Sequence, residues 1–195
     1  MHMKHLAGRT LAIFLSVALS ATASWAAGKD SSEYPPRTQY MAVMMAGKKV
    51  GHSVSTFKID NGKAKTSVNM TITLSRGGRG ITIVVDTSET ETPDGKPLGF
   101  SLTIRQGPLG KVVTSGKIGA DGKLNVVMNV AGMTQKKTIP WPTGALMSHG
   151  LSILERKAGL KPGTETTAAV FDPTTMSAMT ATSVVGEKSK VDLLG

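Results

Sequence analysis

The chain has 195 residues, a formal net charge of +10 and no cysteine. That length suits one domain with a real core, and the missing thiols exclude disulfides, thiolate metal sites and cysteine nucleophiles together. The excess of Lys and Arg suits an anionic envelope or another polyanion, and it bears on association rather than on fold.

Met1 to Arg9 form a basic head containing Lys4 and Arg9, followed by the apolar run Leu11-Ala12-Ile13-Phe14-Leu15-Ser16-Val17-Ala18-Leu19. Small residues follow, with Ser24 and Ala26 at the positions that precede a cleavage point, so 1–26 is expected to be an export signal removed after Ala26. The apolar run is short of the ~20 residues that span a bilayer. No later segment is a candidate span, and no Cys follows the run to carry a lipid anchor. The expected location is periplasmic or extracellular. Residues 27–37, with Gly28, Ser31, Ser32, Pro35 and Pro36, read as a polar linker, leaving a single β-rich domain over 38–195.

From Tyr40 the hydrophobic period is two. Tyr40 to Met45 and Val50 to Ile59 are predicted strands around Ala46-Gly47-Lys48-Lys49, and Asn61-Gly62 is a strong hairpin signal. Thr66, Val68, Met70, Ile72 and Leu74 then alternate with Ser67, Asn69, Thr71 and Thr73, which makes one face buried and one wet. After Arg76-Gly77-Gly78-Arg79-Gly80, Ile81 to Glu91 continues with Ile81, Ile83 and Val85 inward. Asp94-Gly95 turns the chain into Leu98, Phe100, Leu102 and Ile104; Gly107-Pro108-Leu109-Gly110 leads to Lys111 to Ile118; Asp121-Gly122 leads to Leu124, Val126, Met128 and Val130; and Thr134 to Ile139 follows. Thr164 to Phe171, Thr175 to Val185 and a short Val191 to Leu194 are the last predicted strands.

The stretch from Thr143 to Leu160 breaks this pattern. At 100° per residue, Leu146, Met147, Gly150, Leu151, Ile153, Leu154 and Ala158 share one face, so a helix is predicted, capped by Thr143 and stopped by Gly159 and Pro162. Tight hairpins make an antiparallel meander, and a sheet of about ten strands with one apolar face must curl. The expected fold is therefore mainly β, an antiparallel meander forming a strongly bent sheet or half-barrel packed on one α-helix, with a β-sandwich as the alternative.

Few residue groups suggest chemistry. His52 and His149 lie far apart and read as surface or rim histidines, so no metal and no cofactor is expected. Met41 with Met44 and Met176 with Met179 have the spacing of soft copper ligands, but strand residues three apart face opposite ways, and core filler is the simpler role. Ser148 and His149 diverge by about 100° on a helix and cannot form a catalytic pair. Asp86, Glu89 and Glu91 are the densest carboxylates; Glu89 and Glu91 share a strand face, which would allow acid-base work or a hard cation. Their Ser and Thr neighbours point instead to a solvated strand end. Arg76-Gly77-Gly78-Arg79-Gly80 has the look of an RNA-binding box, yet it lies between two strands as a turn would, and aromatic residues are too few for base stacking, so no nucleic-acid partner is expected.

Three patterns in order carry a resemblance: Gly47-Lys48-Lys49-Val50-Gly51-His52, then Glu91-Thr92-Pro93-Asp94-Gly95-Lys96-Pro97-Leu98-Gly99-Phe100, then Gly159-Leu160-Lys161-Pro162-Gly163 running to Val170-Phe171-Asp172-Pro173. The chain resembles the β-rich amino-terminal region of exported bacterial transglutaminase-like proteins, in which a papain-type Cys-His-Asp core follows. With no Cys, no catalytic residue carries over. The ending Val191-Asp192-Leu193-Leu194-Gly195 fits either a fragment of a longer enzyme or a stand-alone homologue of the front domain.

The resemblance implies an exported, non-catalytic accessory domain that positions a downstream catalytic domain or binds a peptide or cell-envelope polymer. From the residues comes an alternative, a periplasmic carrier holding an acyl chain or other apolar ligand between sheet and helix. An enzyme using Asp86, Glu89 or Glu91 is the third reading.

Overall fold

A computed structural model describes residues 34–76, 79–107 and 110–189. The expected signal segment, most of the expected linker and the Val191 to Leu194 strand lie outside the described residues. Within them, the alternating stretches form β1 (Arg37–Met45), β2 (Lys48–Asp60), β3 (Lys63–Arg76), β4 (Arg79–Glu91), β5 (Pro97–Gln106), β6 (Lys111–Ile118), β7 (Lys123–Val130) and β8 (Met133–Pro140). They pair antiparallel, each with its sequence neighbour, as one eight-stranded sheet. The helix α1 (Ser148–Ala158) follows, and then β9 (Glu165–Asp172) and β10 (Ser177–Val184) form a separate two-stranded hairpin. The architecture is the bent, unclosed antiparallel meander with a single helix that the hydrophobic period predicts.

The turns follow from backbone chemistry. Asn61 and Gly62 both take positive φ, 51° and 67°, as a two-residue hairpin between twisted strands requires. Ala46 and Ala131 occupy the same left-handed region ahead of Gly47 and Gly132, and for alanine that conformation is strained.

Register sorts the side chains. Phe57, Thr66, Glu89, Phe100, Gly116 and Val126 lie directly across from one another in successive strands, so they share one face, called the inner face below. The opposite, outer face is polar. There Ser67 bonds Ser88, Thr73 pairs with Thr82, and Asp86 accepts from Asn69 and from Arg105 Nη1. Such exposed contacts add little energy each and serve mainly to hold register.

The core lies on the inner face toward one end of the sheet. Phe100, Leu102, Leu124 and Val126 from β5 and β7 pack with Ala145 and Met147 ahead of α1 and with Phe171 of β9. Trp141 and Phe171 have ring centroids 4.5 Å apart, and the indole N–H donates to the Ala145 carbonyl at 3.2 Å. Phe100 lies over a bare backbone position, because a Cβ on Gly116 would come within 2.3 Å of its ring.

Two expectations change. α1 begins five residues later than the predicted helix, because Leu146 is drawn into extended pairing with β9: its N–H donates to the Ala169 carbonyl and its own carbonyl accepts from Phe171 N–H, each at 2.9 Å. Thr143 is therefore exposed rather than a cap, whereas Gly159 does end the helix, at φ 98°. The residues assigned to the end of the linker also belong to the fold, since Tyr34 packs edge-on against Phe57 and Arg37 opens β1.

Gly116→Ala is expected to lower stability by about 1–3 kcal/mol through overpacking against Phe100. Gly186→Ala, where a Cβ meets nothing within 4 Å, is the control and should melt like wild type. Thermal unfolding followed by circular dichroism checks both.

Candidate functional site

β4 carries its alternation from Ile81, Ile83 and Val85 through Thr87 to Glu89 and Glu91, so both carboxylates point to the inner face. There they meet the start of α1. Ser148 N–H donates to Glu89 Oε2 at 2.9 Å, and His149 N–H and Gly150 N–H donate to Glu91 Oε2 and Oε1, each at 2.8 Å. The first turn of any helix leaves N–H groups without internal partners. The residue at the N-cap is Met147, which has no side-chain cap bond, so strand carboxylates do what a capping Ser or Asp would do. Two bare glycines allow the approach: a Cβ on Gly150 would lie 2.7 Å from the Gly95 carbonyl oxygen, and one on Gly95 2.7 Å from Gly150 Cα.

Glu91 and His149 are each 0% exposed and Glu89 is 8% exposed. The solvated strand end and the rim histidine expected at these positions are thus corrected, while His52 is exposed as expected. Burial raises the Glu91 carboxyl from 4.5 to about 7, against the pull of its two backbone donors and with a smaller push from Glu89. Burial likewise raises Glu89, opposed by Ser148.

The His149 ring stacks on Phe57 at 4.9 Å and meets Tyr34 edge-on at 4.7 Å. Its Nε2 lies 3.0 Å from the Pro93 carbonyl, which can only accept, so the proton sits on Nε2. Nδ1 is then a bare acceptor, buried without a partner among the described residues. Burial lowers the imidazole below its usual value, and the Arg37 and Arg156 charges add to that, while the Pro93 carbonyl opposes it. Arg37 covers the Phe57 ring and Arg156 the Tyr34 ring, at 4.5 and 4.4 Å.

Two perturbed carboxylates beside an imidazole would be acid-base candidates in an open cleft. Here they are sealed, and their hydrogen bonds go to the first turn of α1, so the arrangement is an anchor for that helix. Asp86 is not part of it, because it sits on the outer face with Arg105. The Ser148 hydroxyl turns to Glu89 and the His149 ring to Pro93, so the two do not meet as nucleophile and base. Met41 and Met176 are half-buried while Met44 and Met179 are each 51% exposed, so each methionine pair is split between inside and outside. Among the described residues no group of three or more His, Cys, Asp or Glu could hold a metal, and no helix is long and apolar enough to cross a membrane.

The surface available to a ligand is the other half of the inner face. α1 rests chiefly on β9, β3 and β4, and the core cluster gathers around Phe100 and Phe171. Beyond them the same face continues with Met41, Val43, Met70, Leu74, Ile83 and Val112, all half-buried. Ile72 is sunk among them at 1% exposure, whereas Ile81 on the same face is 42% exposed and Met133 on β8 is 66% exposed. Period two makes this stripe legible in the sequence, but how far the helix would cover it was not. No protein-family model, curated protein or solved structure matches the chain, so nothing connects it to transglutaminase-like proteins.

The anchor carries a pH signature. A carboxyl raised from 4.5 to about 7 on folding binds its proton more tightly in the folded state, so its contribution to stability is lost as pH rises through about 7. His149, lowered on folding, works the other way and erodes stability as pH falls below its usual 6.5. Glu91 therefore lowers stability as pH rises between about 4.5 and 7 and adds no slope above that, where it is ionised in both states, while His149 opposes it below about 6.5. Glu91→Gln, which cannot titrate, should lose this contribution, so the stability of wild type relative to the variant should decline from pH 4.5 to about 7 and then hold level. Urea unfolding across this range measures it, and an unchanged slope in the variant would contradict the assignment.

Proposed function

We propose that the protein is a non-catalytic binding protein of the cell envelope that holds an acyl chain, or an apolar group of similar shape, on the uncovered half of its inner sheet face. One observation carries the reading: the apolar face that forms the core around Phe100 continues past the helix and the β9–β10 hairpin, and there it is only half-buried, with Ile81 at 42% exposure. Contiguous apolar surface of this kind on a soluble domain marks a binding surface. The export pattern of residues 1–26 supports a location where amphiphiles are abundant.

The ligand position differs from the one expected. A guest between sheet and helix has no room where α1 begins, because Gly95 and Gly150 approach too closely for even a methyl group. The accessory-domain role rests on turn glycines, and those are accounted for by the hairpins themselves. Acid-base catalysis by Glu89 and Glu91 would need a substrate to reach carboxylates that are sealed against α1.

A neutral naphthylamine fluorophore titrated into the full chain is expected to brighten saturably. Ile81→Asp, at an exposed position, should weaken its binding about fivefold, the equivalent of ~1 kcal/mol, without shifting the melting transition. Lack of saturable binding by the wild-type chain would refute the function.

A further inference from the structure

Consecutive hairpins place their turns alternately at the two ends of a meander. The turns after β2, β4 and β6 lie at the end where α1 is anchored, and those after β1, β3, β5 and β7 lie at the other end. The carboxylates divide along this axis. Arg37 to Pro140 contains six carboxylates. Five of them, Asp60, Glu89, Glu91, Asp94 and Asp121, stand in or beside the anchored end, and three of these hold lysines in ion pairs. The sixth, Asp86, lies mid-strand on the outer face, bound to Arg105.

The far end has no carboxylate in any of its four turns or in the strand ends that flank them. Lys48 and Lys49 stand side by side at the β1–β2 turn, exposed and in no ion pair among the described residues, whereas Lys111 opens β6 four strands away, across from Arg105 on the outer face. This basic end is also the end to which the uncovered apolar stripe runs: Val43, Leu74, Ile81 and Val112 are its strand-end members. An apolar surface leading to a rim that carries a pair of exposed lysines and no carboxylate matches an amphiphile whose chain lies on the sheet and whose head carries negative charge.

We propose that the bound ligand is an anionic amphiphile, its acyl chain on the uncovered inner face and its acidic head at the rim beside the β1–β2 turn, where Lys48 and Lys49 stand. This rests on the apolar-binding reading above and adds the chemistry and position of the head. Like charges crowded without counter-charges repel one another in the free protein, and an anionic head relieves that repulsion. The preference is therefore electrostatic and must weaken with salt, since the screening length shortens from about 10 Å at 0.1 M to about 3 Å at 1 M.

The test is calorimetric titration of the full chain with palmitoyl lysophosphatidylglycerol and palmitoyl lysophosphatidylcholine, each kept below its micelle-forming concentration. The two share a chain and differ in head charge. The anionic lipid should bind about tenfold more tightly at low salt, a difference of ~1.4 kcal/mol, and the advantage should shrink in 1 M salt. Lys48→Glu with Lys49→Glu should remove it, while the control Lys161→Glu with Lys188→Glu, with the same change in net charge, should retain it.

Equal affinity for the two lipids would overturn the anionic head and leave the acyl-chain reading standing. Binding of neither lipid would overturn both. An advantage that survives the rim variant would place the head elsewhere. Competition by millimolar inorganic phosphate would mean a free-anion site instead of an amphiphile site. Self-association through this face in sedimentation velocity, without lipid uptake, would make the occupant a second copy and overturn the proposal.

Discussion

The backbone N–H groups of Ser148, His149 and Gly150, held by the carboxylates of Glu89 and Glu91, are the contact on which the arrangement depends. A helix of 11 residues is marginal alone, and this one has no side-chain cap of its own. Its first turn is fixed by acceptors from a strand more than fifty residues earlier in the chain. Burying two carboxylates is costly, which is why both resist ionisation, but the partners offered are oriented amides at the positive end of a helix dipole. Removing an acceptor would leave buried N–H groups unpaired, and that asymmetry makes the contact hard to lose.

The shape follows from it. Once α1 is seated by its N-terminus, Leu146 pairs with β9 and Met147 joins Phe100, Leu102 and Phe171 in the core. The helix covers the sheet at its start and much less along its length: Leu151, Ile153 and Leu154, which an amphipathic plug would bury, are only half-buried. The fold is closed at one end, where three aspartates hold Lys58, Lys65, Lys96 and Lys123 in ion pairs, and open, apolar and free of turn carboxylates at the other. A single anchoring contact thus determines which part of the inner face is core and which part is surface.

Most of the strands were legible because period two and Asn-Gly or Asp-Gly turns are local signals, and β6 over Lys111–Ile118 coincides with its predicted span. The misreadings concern pairings of distant residues. Glu89 and Glu91 continue the inward series Ile81, Ile83 and Val85 at steps of two, so their inward direction was present in the sequence. The hydroxyl-rich neighbours masked it, and no local pattern links a strand end to a helix start 58 residues away. The missing cap at Met147 was a second clue, visible only once the helix start is placed at Ser148. His149 went unrecognised as a core residue because the rings that bury it, Tyr34 and Phe57, come from the assumed linker and from β2.

Residue-level hydrogen exchange tests the anchoring contact most directly. The amides of Ser148, His149 and Gly150 occupy a helix's first turn, where exchange is ordinarily fast because no helical partner exists. Held by Glu89 and Glu91, they should exchange as slowly as the central amides of β3 and β4, and in a Glu89→Gln, Glu91→Gln double variant they should lose protection well before the β5–β7 amides do. Fast exchange at these three amides in the wild-type protein would contradict the account.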